Sequence, residues 1–227
     1  MKNLLKIFLV LASPVVFGAN NDIYITQSGT GLTLTIDQIG NSNVVGTSQT
    51  RATFTGTSMT VDVDQVGDSN TLTASVAQGN STSFTVTSTG DSNATTLAFG
   101  GTGDVANTDF DLTETGDSNV VVFTQGAAAT ATAGNQDIAI TGTSNNINAT
   151  CEVVGCINNW TVDGDSNDID TTQTGNADHQ ITASITGNTN NIDIDQTNST
   201  GSTSGIAVIT ATTSNGTIDI DQCTSGC

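Results

Sequence analysis

Gln38-Ile39-Gly40-Asn41-Ser42-Asn43-Val44-Val45 opens the series that decides the fold. Its tetrapeptide Gly-x-(Ser/Thr)-Asn, first seen at Gly40 and Asn43, returns six times. The copies are Gly67-Asp68-Ser69-Asn70, Gly90-Asp91-Ser92-Asn93, Gly116-Asp117-Ser118-Asn119, Gly142-Thr143-Ser144-Asn145, Gly164-Asp165-Ser166-Asn167 and Gly187-Asn188-Thr189-Asn190. Successive glycines, at 40, 67, 90, 116, 142, 164 and 187, lie 27, 23, 26, 26, 22 and 23 residues apart. A degenerate eighth copy follows, because Thr217-Ile218-Asp219-Ile220-Asp221-Gln222 echoes Asn191-Ile192-Asp193-Ile194-Asp195-Gln196. A period of this size belongs to solenoids in which one unit makes one coil.

Within each unit apolar residues alternate with Thr, Ser and Asp, which is the strand signature. Ahead of the glycine they stand at minus six and minus four: Leu34 and Ile36, Val61 and Val63, Phe84 and Val86, Phe110 and Leu112. Beyond the turn they stand two past the asparagine: Val45, Leu72, Val121, Ile147, Ile169 and Ile192, with Thr95 as the exception. Each unit therefore reads strand, tight turn, strand, looser turn. Glycine supplies a backbone conformation that side chains resist, and Asp or Asn followed by Ser can bond its own backbone to hold the turn. One coil of two short strands cannot bury its apolar stripe alone. Stacked about 4.8 Å apart, about eight coils pair their backbones and span roughly 38 Å. Asn and Gln suit such columns, since each amide donates to one rung and accepts from the other. The expected fold is an all-β solenoid with amyloid-type stacking.

Composition fits that reading and closes others. The chain of 227 residues has 22 acids against three cations, Lys2, Lys6 and Arg51, for a formal charge of −19. Such a surface repels polyanions, so no nucleic-acid partner is expected, and an anionic membrane is disfavoured. With one His and one Tyr, the chain lacks most of the groups that do acid–base work. No catalytic residue and no cofactor are assigned.

Residues 1–19 order as a secretory signal peptide: Lys2 and Lys6, the apolar run Ile7 to Ala12, then Gly18-Ala19. Its removal would take Pro14 and both lysines, leaving 1 − 22 = −21 on a single domain over 20–227. No later segment is long and apolar enough to form a membrane helix, so the mature chain is expected to have no membrane span. The expected product is exported. Cys151, Cys156, Cys223 and Cys227 fit an oxidising compartment; four allow three pairings, and the short separations favour two local staples. No His lies near them, which speaks against zinc.

Residues inward of the turn give Gln38-x-Gly40-x-x-Asn43-x-Val45-x-x-x-Gln49. This resembles the curlin repeat of bacterial curli fibre subunits, Gln-x-Gly-x-x-Asn-x-Ala-x-x-x-Gln. Gln65, Gly67, Asn70 and Leu72 match in the next unit, and Glu114, Gly116, Asn119, Val121 and Gln125 match with Glu for the first Gln. Gly164, Asn167, Ile169 and Gln173, then Gly187, Asn190, Ile192 and Gln196, match the later part. The Gly90 and Gly142 units keep Gly and Asn but lose both glutamines. The resemblance implies an exported subunit that stacks end to end into extracellular amyloid-like fibres of a biofilm matrix or adhesive coat. It further implies that the chain's partners are copies of itself, a curli-type secretion pore and a nucleator.

Two further features bear on function. Asp170, Asp193 and Asp219 fall at one offset from the turn, and Asp195 and Asp221 at another. Asp193, Asp195, Asp219 and Asp221 are weak candidates for a calcium site, set against a solvated acidic edge that limits unwanted stacking. Thr-x-Thr pairs raise an ice-binding solenoid as an alternative, beside a non-polymerising surface adhesin. The pairs Thr33/Thr35, Thr71/Thr73 and Thr85/Thr87 fall at different offsets, however, and one flat face needs one offset.

Overall fold

The computed structural model describes residues 6–12, 20–40, 42–46, 52–67, 69–77, 80–90, 92–100, 107–126, 134–152, 155–175, 179–198 and 205–224. Gln49, Arg51 and Cys227 lie outside these residues. Every strand pair is parallel, and the strands stack as a β-solenoid with two sheets. Sheet 1 has nine strands: Lys6–Ala12, Thr33–Ile39, Thr60–Val66, Ser83–Thr89, Asp109–Thr115, Asn135–Thr141, Ile157–Asp163, Gln180–Thr186 and Ile206–Thr212. Sheet 2 has eleven: Asn20–Ile23, Ser42–Val45, Leu72–Ala77, Ser92–Phe99, Ser118–Gln125, Ser144–Cys151, Ser166–Gly175, Thr189–Asn198 and Asn215–Thr224 form its main path. Thr26–Ser28 and Ala52–Thr55 complete its first two rungs.

Parallel pairing without a slip turns each sequence offset into a column. The minus-four offset becomes Ile36, Val63, Val86, Leu112, Ile138, Trp160 and Ala183, all buried. The offset two past the asparagine becomes Val45, Leu72, Thr95, Val121, Ile147, Ile169, Ile192 and Ile218. Alternate side chains point out, so strands such as Thr60–Val66 read exposed, buried, half-buried in turn. The apolar face of each strand is therefore covered by the opposite sheet across a narrow core.

The middle of that core is aromatic. Phe54, Phe84, Phe99, Phe110 and Phe123 form a run of ring contacts, with Phe110 and Phe123 stacked at 5.2 Å and 9°. Such pairs add about 0.5–1.5 kcal/mol each beyond the area they bury.

Two turn glycines take the backbone conformation expected of them, Gly40 and Gly67 with φ of 155° and 156°, and the other five have a different reason. Gly90, Gly116, Gly142, Gly164 and Gly187 are not in the left-handed region. They are glycine because rungs touch there: a Cβ on Gly116 would lie 2.0 Å from Gly90 O, and one on Gly187 2.1 Å from Gly164 O. Gly116→Ala should lower stability by about 1–3 kcal/mol, the usual cost of forcing atoms into a packed site. A melting curve checks it; an unchanged midpoint would mean the rungs can part locally.

Candidate functional site

Among the described residues the buried polar groups run in columns. At each tight turn the asparagine points inward and is buried. Asn70 Nδ2 donates to Asn43 Oδ1 at 3.2 Å and Asn93 Nδ2 to Asn70 Oδ1 at 3.1 Å. Past the middle the direction reverses. Asn119 donates to Asn145 (2.9 Å), Asn145 to Asn167 (2.7 Å) and Asn167 to Asn190 (2.8 Å). The reversal leaves Asn93 Oδ1 and Asn119 Oδ1 buried without a hydrogen bond. Each such atom costs about 1–3 kcal/mol.

The glutamines split between the sheets. In sheet 1, Gln65 Nε2 donates to Gln38 Oε1 at 2.8 Å, and Gln38 Nε2 to Val44 O at 2.9 Å. That column then continues as Ser88, Glu114 and Ile140. In sheet 2, one column runs Gln27, Phe54, Val76, Phe99, Gln125, Cys151, Gln173, Gln196 and Gln222. Gln222 Nε2 donates to Gln196 Oε1 at 2.6 Å, and Gln196 Nε2 to Gln173 Oε1 at 2.7 Å. Gln136, at a minus-six position that period-two reading reserves for apolar residues, donates to Gln125 Oε1 at 2.9 Å. The repeat pattern gave no signal for it.

Glu114 sits where the sheet 1 ladder ends. It is fully buried, Thr95 Oγ1 donates to its Oε1 at 2.5 Å, and Oε2 has no hydrogen bond. Thr95 thus breaks the apolar pattern in order to meet the carboxyl across the core. Burial raises the Glu114 carboxyl to about 7, against which the Thr95 bond acts only partly.

Cys151 and Cys156 form a disulfide that closes the loop from sheet 2 back to sheet 1, with Cα atoms 6.5 Å apart. Cys223 is also disulfide-bonded. His179, alone in the sequence and next to Gly175-Asn176, reads there as a surface residue; it is instead buried beside this loop, its Nδ1 accepting from Cys156 N–H at 3.2 Å. Trp160 is in the core, as its offset implies.

The acidic offsets become neighbouring columns on the outer face of sheet 2: Asp170, Asp193 and Asp219, then Asp195 and Asp221. Asp193 is raised from its ordinary value by desolvation first and then by Asp195, Asp170, Asp219 and Asp221. Its side chain is exposed, so the neighbouring charges are the more telling cause. Among the described residues no cluster of three or more His, Cys, Asp or Glu could hold a metal.

The Thr pairs quoted from sequence do fall in different columns: on the outer face of sheet 1 Thr33/Thr35 and Thr85/Thr87 stand one column apart, and Thr73 belongs to sheet 2. Others share one. Thr87/Thr89, Thr113/Thr115, Ser184/Thr186 and Thr210/Thr212 occupy the same two columns, with Ala139/Thr141 and Thr161/Asp163 between them. Beside the outer of these columns a groove of about 660 Å³ follows the turns from Thr115 and Asp117 to Thr212 and Ser214.

Among the described residues the last rung, Asn215–Thr224, is uncovered on one side. Ile218 and Ile220 are 47% and 38% exposed, whereas Ile192 and Ile194, one rung in, are 1% and 0%. Sheet 2's first rung carries Ile23, Ile25 and Gln27. Ile23 and Gln27 stand in the columns that end in Ile218 and Gln222, and Ile25 adjoins the paired Thr26 and Thr53. Ile-x-Ile-x-Gln thus stands at both ends of sheet 2.

Comparison with protein-family models, curated proteins and solved structures found no match.

A pH test follows from Glu114. In the unfolded chain its carboxyl titrates near 4.5, in the folded chain near 7. The folded state binds the proton more tightly, so this contribution is present below pH 4.5 and is lost as pH rises through 7. Glu114→Gln keeps an acceptor for Thr95 and removes the charge. It should stabilise the protein by roughly 2–3 kcal/mol at pH 8 and by little at pH 4. Denaturant titrations at both values check it; equal effects would overturn the assignment.

Proposed function

We propose that this chain is an exported, non-enzymatic structural subunit whose leader is removed and whose mature coils, about eight in number, stack end to end into extracellular fibres. One observation carries the reading: both ends of sheet 2 present the same inward triplet, and the last one is uncovered. Seating Ile23-x-Ile25-x-Gln27 of one copy on Ile218-x-Ile220-x-Gln222 of another continues two apolar columns and one glutamine ladder. It also shields isoleucines that are now exposed. Open sheet edges accept further strands in just this way. The likeness of the units to curlin repeats supports the same reading, and with it a curli-type secretion pore and a nucleator as partners.

Electrostatics set its pH dependence. Asp62 and Asp111 are raised by desolvation and then by the charges of Asp64 and Asp37, and of Asp109 and Asp137. With Asp193 they hold protons more tightly when folded, so these groups favour the stack at low pH and oppose it as pH rises. Chain 20–227 should form thioflavin-positive fibres under the electron microscope, with a shorter half-time at pH 4 than at pH 8. Ile218→Lys with Ile220→Lys should abolish growth and leave the circular dichroism spectrum unchanged. A chain that stays monomeric for weeks at both pH values would overturn the fibre and leave a non-polymerising adhesin.

The shared Thr columns favour a second reading, ice binding by the outer face of sheet 1. Hydroxyls and methyls repeat there on a grid of about 4.8 Å between rungs and about 6.7 Å along each strand. A repeating grid of this kind can hold an ordered water layer. Freshly prepared monomer should then show thermal hysteresis that Thr113→Lys removes. A freezing point equal to that of an equimolar inert protein would dismiss this reading.

A further inference from the structure

Past the aromatic block the core changes character for two coils, those of Gly142 and Gly164. In sheet 1 the register carries Phe110 to Gln136, then to Asn158, then to Ile181. In sheet 2 it carries Phe123 to Ala149, then to Thr171, then to Ile194. Phe110 and Phe123 meet across the core, with ring centroids 5.2 Å apart. The same two facing columns therefore hold Phe with Phe, Gln with Ala, Asn with Thr and Ile with Ile in four successive coils. The outer two pairs are large and apolar; the inner two are smaller and polar.

Five polar atoms of these inner layers are buried without a hydrogen bond: Gln136 Oε1, Asn158 Oδ1, Asn158 Nδ2, Trp160 Nε1 and Thr171 Oγ1. Their four side chains are each at most 2% exposed. Gln136 Nε2 is committed to Gln125 Oε1 one coil back, so the Oε1 end of that amide turns toward the Asn158 layer. Trp160 stands two residues beyond Asn158 on the same inward face. Its register partner is Ala183, and Ala149 is the partner of Thr171, so two of the flanking side chains are single methyl groups. The set holds two fixed donors, two fixed acceptors and one hydroxyl able to do either. Among the described residues of these two coils, no inward position carries a charge.

We infer that Gln136, Asn158, Trp160 and Thr171 line a closed chamber between the sheets that binds about two water molecules. A buried water makes about three hydrogen bonds, so two of them reach all five atoms. Balanced donors and acceptors with no charged group suit water and reject an ion. Phe110 with Phe123 and Ile181 with Ile194 close the space along the stack, and buried Ile169 and Gln173 flank Thr171 along its strand, which leaves no room for a larger solute. Polar groups too far apart to bond directly are joined by water nearly as well as by a direct bond. Left dry, each would forfeit the hydrogen bonds it makes in the unfolded chain.

Trp160 is the only tryptophan of the chain, so its indole N–H reports on this chamber alone. In the full chain, freshly prepared as monomer, the indole proton should give a rotating-frame Overhauser peak to water. Water-oxygen relaxation dispersion should count long-lived internal waters. Asn158→Leu with Thr171→Val removes three of the five atoms, and should lower that count by about two and weaken the indole peak. An indole proton with no water peak would mean that the side chains close on one another, and would overturn the chamber. An equal count in the folded variant would do the same. Should the variant fail to fold, the indole peak of the unaltered chain decides by itself.

Discussion

In a parallel stack without register slips, every inward side chain rests on the residue at the same offset one coil away. Nothing else in this molecule is free to vary until that condition is met. An aliphatic on an aliphatic meets it through burial alone. A buried amide meets it only when its donor and acceptor are used along the column or across the core, because an orphaned polar atom in a dry interior is costly. Asparagine succeeds at the corner because its short side chain reaches both the next Asn and a turn carbonyl, as Asn43 does with Gln38 O at 3.1 Å. Glycine ahead of it follows from the same closeness: corner backbones lie too near each other for a Cβ.

Where the polar columns stop, other chemistry takes over. The glutamine ladder of sheet 1 ends after Gln65, and the asparagine ladder reverses between Asn93 and Asn119. The same coils hold the phenylalanine run and the Glu114–Thr95 pair. Toward the C-terminal end, isoleucines and glutamines return inside while carboxylates gather outside. Amide ladders thus sit toward the two ends and an aromatic block lies between them.

Much of this was legible along the chain, because a solenoid converts sequence offset directly into position. The fold class, the alternation within each strand, the inward asparagines and the core place of Trp160 all follow from counting relative to the turn. Contacts across the core do not. Glu114 meets Thr95 from the opposite sheet and the neighbouring coil, a relation that no single offset encodes. His179 lies by the looser turn, where coil lengths vary and counting loses its origin. Which glutamines would join was hidden for a similar reason: the two positions of one unit belong to different sheets, so Gln38 and Gln65 form one ladder and Gln173 and Gln196 another. The Thr columns were hidden by the choice of pairs, since Thr33/Thr35 and Thr85/Thr87 are offset by one column while Thr87/Thr89 and Thr113/Thr115 coincide.

The aromatic block has a consequence for the order in which the chain is built. In a one-dimensional stack, each coil is held only by its neighbours, so structure can start wherever local cohesion is greatest and spread from there. Phe84, Phe99, Phe110 and Phe123 put that cohesion in the interior coils, between partners close in sequence. Coils would then be laid down outward in both directions from a central seed, and would fray inward from the tips. The two end rungs would be completed last and lost first.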